Sequence, residues 1–394
     1  MQSTLLPPLK PTPVRDMLWL FLGTRLLLVI GTYISFILFP VPPHVYPQSP
    51  VDMTGLLLSW RHWDANDYVQ IAQSGYQNIS ETAFFPLFPF LVKCMALLFG
   101  NHAYTLAAML VSNLALFGAL YVLYQIAADA LGEQVGRRTL LYLCLFPTAF
   151  FFFAGYNESL FLLLSCSTLY AIRHQKWILA GGLGGLAALT RSAGVLLVFP
   201  YLYEIWMARD ISQPGLPKQV DGLIPKALPI VLIPLGTLLY CYYCWRHFGN
   251  PLSFAAVEKS WGRPFTLPWT GIIDAFWQIF FKQPFGSFME VHTLIDLSAV
   301  LGFIALAILG WRYLSVSYTI WIAILLLFML SGSAIATADP LFADQRYVLE
   351  MFPGFITLAA LSMKYQRLHQ AILISFPFLQ AIMAALFVLH RWMV

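Results

Sequence analysis

The sequence predicts an all-α protein that crosses a membrane many times, and three observations carry that prediction. Apolar residues make up 59% of the 394 and charged residues only 10%, against roughly 25% charged in soluble domains. Mean hydropathy is +0.73. Apolar runs of helix length recur along the whole chain, separated by short polar joints. The net charge of +4 is modest, and the basic residues are scattered between apolar runs. They read as an orientation signal rather than as a nucleic-acid patch. The sequence has no GxxxxGK[ST] loop and no GxGxxG after a strand, so the common modes of nucleotide binding have no support. Cys94, Cys144, Cys166, Cys241 and Cys244 lie mostly in apolar runs. Cys241 and Cys244 are one helical turn apart, but no His or second Cys pair flanks them, so they read as buried helix residues.

The first run, Met17 to Phe39, follows a Pro-rich segment carrying Lys10 and Arg15. It can span roughly 30 Å of hydrocarbon and reads as a retained helix, too long for a signal-peptide core. Arg25 within it either snorkels or faces the bundle interior. A polar, Pro-punctuated stretch follows to Thr82. Ala83 to Gly100 is apolar but broken by Pro86 and Pro89, and reads as a re-entrant or interfacial segment. Further apolar runs cover 104–128, 139–155, 158–172, 177–190, 193–207, 227–247, 291–311, 317–336, 347–362 and 370–389. The expected architecture is one transmembrane domain over 1–394 with about eleven helices, in a range of about ten to thirteen. Gly181, Gly182, Gly184 and Gly185 predict close helix packing. With 83–100 not crossing, Lys10, Arg15, Arg137, Arg138, Arg173, Lys176, Arg209, Lys218, Lys226, Arg312, Lys364 and Arg367 fall on one side, as the positive-inside rule expects. The loop 41–100, the turn at Tyr156-Asn157-Glu158, Arg191-Ser192, the second outer loop 248–290 and the segment 339–346 then share the other, outer side.

The chemistry concentrates in Ser59–Pro89, SWRHWDANDYVQIAQSGYQNISETAFFPLFP. Asp64, Asp67, Glu81 and, just upstream, Asp52 stand beside aromatics in a chain that otherwise avoids charge. Asp64 and Asp67 are three residues apart and share a helix face, with Arg61 three before Asp64. One reading is a solvated amphipathic helix anchored by Trp60, Trp63 and Tyr68. The other is a carboxylate general base, since ionisable groups at a membrane edge are functional candidates. Arg191 and Arg346 on the same side suit an anionic substrate group, because guanidinium holds phosphate with a fork of donors; salt bridges to Glu158, Asp339, Asp344 or Glu350 are the structural alternative. Glu158 either orients the site or caps the next helix. Lys259 and Arg263 on the outer loop either guide a head group or are exposed loop charge. His62 and Asp64 are too close together to make a metal site alone, and His44, His247 and His292 do not cluster in sequence. The sequons at Asn78 and Asn157 carry weight only in a eukaryotic secretory pathway.

These residues fall in ordered motifs. HWDANDYVQIAQSGY, TAFFPLFP, LFPTAFFFFAGYNESLFLLL, LTRSAGVL and QRYVLEMFP, spread over positions 59 to 353, together resemble the PIG-V family, the second mannosyltransferase of glycosylphosphatidylinositol-anchor synthesis. The family's eukaryotic pattern has Glu-His after WDA where this chain has Asn66-Asp67. The resemblance implies a GT-C-type fold and an inverting transfer of a hexose, mannose first. The donor it implies is a polyprenyl- or dolichyl-phosphate sugar, and the acceptor a glycolipid or glycan hydroxyl. It implies Asp64, Asp67 and Glu158 as catalytic residues. Arg61, His62, Trp63, Tyr68, Tyr156, Asn157, Arg191, Ser192, Gln345, Arg346 and Tyr347 would bind substrate. No cofactor beyond the lipid-phosphate donor is called for, and a divalent metal is left open. Another GT-C activity, such as protein O-mannosylation, and a lipid-linked sugar flippase are the competing classes. The expected location is a multi-pass position in the plasma membrane of a bacterium or the endoplasmic-reticulum membrane of a eukaryote.

Overall fold

A computed structural model describes residues 14–40, 52–100, 103–208, 224–334 and 339–391. Lys10, His44, Arg209 and Lys218 lie outside the described residues. Among the described residues there are helices and no strand. The helices are α1 (Val14–Leu38), α2 (Met53–Leu58), α3 (Asp64–Ser74), α4 (Leu87–Leu97), α5 (Tyr104–Leu131), α6 (Glu133–Leu145), α7 (Glu158–Arg173), α8 (Trp177–Thr190), α9 (Val198–Met207), α10 (Ile224–Ala227), α11 (Leu232–Phe248), α12 (Ser253–Ser260), α13 (Thr270–Trp277), α14 (Phe288–Gly310), α15 (Val316–Leu330), α16 (Asp344–Tyr347), α17 (Phe352–Lys364) and α18 (Gln366–Val388).

Five stretches are long and apolar enough to cross a membrane: Val14–Leu38, Tyr104–Leu131, Ile224–Phe248, Phe288–Gly310 and Gln366–Val388. Most of the other runs form shorter helices, so length alone does not reproduce a count of eleven. The run 139–155 shows why. Phe146 precedes Pro147 and is held extended, at ψ 143°, as the proline ring demands of its predecessor. The helix therefore stops at Leu145, and a 3-10 turn over Ala149–Phe152 leads to α7. Leu22, Leu26, Leu27, Ile30 and Ile34 of α1, and Ile374, Phe378 and Ile382 of α18, point outward. An apolar outer surface of that extent suits lipid, not water. The chain is a multi-pass membrane protein.

Small residues set the interior. α5 is the central helix and packs on α4, α6 and α7. α8 meets α11 almost backbone to backbone: a Cβ on Gly185 would lie 2.5 Å from the Leu232 carbonyl oxygen, and one on Gly236 would lie 2.2 Å from that of Gly185. Gly181, Gly184 and Gly185 thus mark a helix contact, as the sequence predicts, whereas Gly182 faces open space. Arg25 faces the interior: it is buried, donates to Asn113 Oδ1 at 3.4 Å and lies over the Phe21 and Phe153 rings. All five cysteines are free, and Cys244 packs with Tyr240 and Phe85.

The charges separate between the two ends of the bundle. At one end Arg137 meets Asp16 at 2.9 Å, Arg138 donates to the Ser362 carbonyl at 2.7 Å, and Arg173 meets Glu204 at 3.0 Å. α7 and α17 run from there to the other end, where Glu158 and Glu350 stand among Arg191, Arg263 and Arg346.

Candidate active site

The four acids around the first loop divide into two pairs. Asp52 accepts the Gly55 N–H at 2.6 Å and caps α2. Glu81 accepts the Gln77 and Asn78 N–H groups at 2.6 and 3.2 Å and locks a turn. Their chemistry is spent on backbone. Asp64 and Asp67 instead occupy the first turn of α3, where the unpaired N–H groups of a helix start favour negative charge. Just before them Trp63 has φ 46° and ψ −126°, a conformation that costs a bulky residue on the order of 1–3 kcal/mol. Its ring packs on Phe387 at 5.0 Å between centroids.

Asp64 and Asp67 line a cavity of about 500 Å³. Of the other expected residues, Trp63, Tyr68, Tyr156, Asn157, Arg191, Ser192, Arg346 and Tyr347 line it too. Glu158 is fully buried behind them, at the first position of α7. Tyr156 donates through its hydroxyl to the His62 carbonyl at 3.0 Å, and Asn157 donates to the Thr190 carbonyl at 3.0 Å. The turn before α7 is thereby tied both to the start of α3 and to the end of α8. The second sequon is buried in this turn.

An ion network crosses the cavity wall. Arg346 reaches Asp64 Oδ2 through Nη2 and Glu158 Oε1 through Nε, both at 2.6 Å. Arg191 Nη1 lies 3.3 Å from the same Glu158 oxygen and also pairs with Glu350. The Arg346 guanidinium sits 4.8 Å from the Tyr156 ring centroid, and that of Arg191 sits 4.7 Å from the Tyr347 ring. Both arginines thus take part in salt bridges, with Glu158 shared between them. Arg346 is already committed to two carboxylates.

Besides Glu158, three expected residues do not line the cavity. Arg61 turns outward and donates to Asn66 Oδ1 at 3.1 Å, so Asp67 is not its partner. His62 packs edge-on against Phe387 and tilted against His390. Burial, and then the charge of His390, pull its pKa down to about 4, so it is neutral near pH 7. Gln345 is buried on the far side of its turn: its N–H donates to Asp296 Oδ1 at 2.8 Å and its carbonyl accepts from Thr148 at 2.7 Å. Asp67 carries a perturbed acid. Burial, then repulsion from Asp64 and Glu81, push its pKa up to about 6.

Lys259 is exposed, on α12 rather than in a loop, but Arg263 departs from the exposed-charge reading: its side chain is only 11% exposed. It donates to Tyr347 Oη at 3.2 Å and to the Gly332 carbonyl at 3.0 Å, and lies 3.5 Å from Glu258. The aromatic and proline flanks of WGRPF were the available signal. Arg263, Arg191, Ser192, Glu258 and Tyr347 also line a second cavity of about 570 Å³. Its remaining wall is mainly apolar, including Leu196, Phe199, Phe254, Ile324 and Phe328. The two cavities thus share a wall that holds Arg191 and Arg263, with Asp64 and Asp67 on the far side of the first and mainly apolar residues around the second.

Comparison with known proteins bears on the family and the fold. The family model described as mannosyltransferase (PIG-V) matches residues 42–285, more than half the chain. GPI alpha-1,6-mannosyltransferase 2 of Rattus norvegicus is 30% identical over 241 residues, covering 55% of this chain and 47% of the relative. The Homo sapiens protein of the same name is 32% identical over 238 residues, with the same coverage. GPI mannosyltransferase 2 of Schizosaccharomyces pombe is 29% identical over 233 residues, covering 55% and 50%. The chain spans about half the length of these curated relatives. In fold it is similar to ArnT from Cupriavidus metallidurans, solved bound to undecaprenyl phosphate, with a TM-score of 0.52 and 14% identity over 91% of this chain and 62% of ArnT. That likeness is one of fold, and it agrees with the GT-C-type bundle that the sequence resemblance implies. Matched over its first loop, the Tyr156 turn and Arg191, the chain belongs to the PIG-V mannosyltransferase family.

Proposed function

We propose that the protein is a membrane mannosyltransferase. It moves a hexose, mannose first, from a polyprenyl- or dolichyl-phosphate carrier to a hydroxyl of a glycolipid or glycan on the outer or luminal face. The observation that carries this reading is the junction of the two cavities. A carboxylate chamber for an acceptor hydroxyl meets an apolar groove for a lipid tail, and Arg191 and Arg263 stand where the tail's phosphate would sit. ArnT, with a similar fold, was solved with a lipid phosphate of this class.

In the proposed step Asp64 accepts the acceptor O–H proton as the oxygen attacks the sugar C1 in line. The C1–O bond to phosphate breaks, with inversion, and the electron pair leaves on the lipid phosphate. A base must reach the proton it removes, and the Asp64 side chain is 30% exposed toward the cavity. Arg191 and Arg263 neutralise the charge gathering on the departing phosphate, where fixed donors act most strongly. Arg346 and Glu158 hold Asp64 in position. Asp67, protonated below about pH 6, donates to or accepts from a sugar hydroxyl.

The test is product formation. Purified protein in liposomes, given radiolabelled polyprenyl-phosphate mannose and a glycolipid acceptor, should yield an acceptor heavier by one hexose with free lipid phosphate. Transbilayer movement of intact donor without a new glycosidic bond would identify a flippase instead.

A further inference from the structure

We propose that His292, Asp296 and Asp339 bind one divalent transition-metal ion, of the Zn²⁺ or Mn²⁺ class, that pins the Arg346 turn to α14. The site is separate from the catalytic assignment above and does not depend on it. His292 and Asp296 stand one helical turn apart on α14, and Asp339 comes from the segment after α15. His292 Nδ1 lies 3.3 Å from Asp296 Oδ2 and 3.6 Å from Asp339 Oδ2. One ligand atom from each residue falls within 4.8 Å of the other two. An ion bound at about 2.0–2.2 Å to nitrogen and oxygen in tetrahedral geometry sets its ligand atoms about 3.4 Å apart. All three residues are buried, at 2%, 0% and 6% exposure.

Two further features point to a cation. Asp296 spends Oδ1 on the Gln345 N–H, and its Oδ2, fully buried and aimed into the cluster, receives no hydrogen bond. Burying such an oxygen unsatisfied is costly. The acids also outnumber their partners. Asp344, buried, lies close enough to interact with both Asp296 and Asp339. Three buried carboxyl groups thus face one imidazole and Arg263, which is already engaged with Tyr347, Gly332 and Glu258. One imidazole and two carboxylates suit zinc or manganese better than all-oxygen calcium or magnesium cages.

The site would also serve a mechanical need. Phe342 and Ala343, between Asp339 and α16, have φ of 23° and 71°. Such backbone persists only where its surroundings hold it. The ion would tie this strained turn, and through it Arg346 and Tyr347, to α14. The Gln345 amide lies 3.5 Å from His292 Nε2, where it can orient the ring as outer partners of metal-bound histidines do.

The experiment uses the full chain in detergent, with any affinity tag removed. Wild type prepared with Zn²⁺ or Mn²⁺ should carry about one equivalent by elemental mass spectrometry, and chelator-stripped protein titrated with ZnCl₂ or MnCl₂ should recover it with a raised thermal midpoint. Asp296→Asn and His292→Gln should hold less than about a tenth of an equivalent and show no metal-dependent shift, while Asp64→Asn and Asp67→Asn keep theirs. The stripped wild type decides the question by itself should the variants fail to fold. No uptake and no midpoint shift with either metal, or a full equivalent retained in Asp296→Asn, overturns the proposal.

Discussion

Glu158→Gln is the most informative stability test of the ion network. Glu158 is fully buried and shares one oxygen between Arg346 at 2.6 Å and Arg191 at 3.3 Å. Gln keeps the volume and one acceptor but removes the charge. Two opposite charges about 4 Å apart attract by about 4 kcal/mol at an effective dielectric of 20. Losing two such attractions is offset by no longer desolvating a carboxylate. Removing one partner of a buried pair costs about 3–5 kcal/mol, and the retained acceptor puts this variant near the lower figure. The assay is thermal unfolding in micelles, where such a loss lowers the midpoint by roughly 5 °C. Arg191→Gln and the double variant complete a cycle, and the double should be less unstable than the sum by at least about 2 kcal/mol. A Glu158→Gln midpoint equal to wild type, or a strictly additive cycle, would refute the shared-oxygen network.

Three further outcomes follow from the same geometry. Asp67 has a folded pKa of about 6 against 3.8, so the fold binds its proton more tightly than the unfolded chain. That contribution is fully present below pH 3.8 and is lost as pH rises through 6. Asp67→Asn should therefore be more stable than wild type at pH 8, by at most about 3 kcal/mol, with the advantage vanishing below pH 4; a gap that ignores pH would refute the assignment. Arg263→Gln should reduce kcat/KM for a lipid-phosphate donor by about a hundredfold, as loss of an oxyanion donor does, while acceptor KM stays within about threefold. Gly185→Leu should destabilise or misfold the protein, because its side chain would strike the α11 backbone, whereas Gly182→Ala, with open space around it, should change the midpoint by less than 1 °C, roughly.

The bundle was legible because lipid imposes one pattern on every spanning helix, and hydropathy reads that pattern directly. The helix breaks were less so. Apolar composition is the same through Leu145, the extended Phe146 and the turn beyond, so only Pro147 hinted at the stop. Asp64, Arg191 and Arg346 could be picked out because charge is rare in this chain and their motifs resemble a family. Asp52 and Glu81 looked equally acidic, but capping a backbone N–H leaves no trace in composition. Arg263 was read as solvated because it sits in a loop, and nothing local shows that Tyr347 and Gly332 enclose it. Gln345 was drawn in by its neighbour Arg346, yet the positive φ at Ala343 precedes a turn that faces it toward α14. His292 and Asp339 are 47 residues apart in sequence, and only the fold joins them.

Asp64 is the base in the proposed transfer from a lipid-phosphate sugar. The most direct test is single-turnover transfer from polyprenyl-phosphate mannose by Asp64→Asn, beside donor binding by the same protein. We expect the rate to fall at least about a hundredfold while the donor Kd stays within about threefold and the protein remains folded. Transfer at the wild-type rate by folded Asp64→Asn would rule out Asp64 as the base.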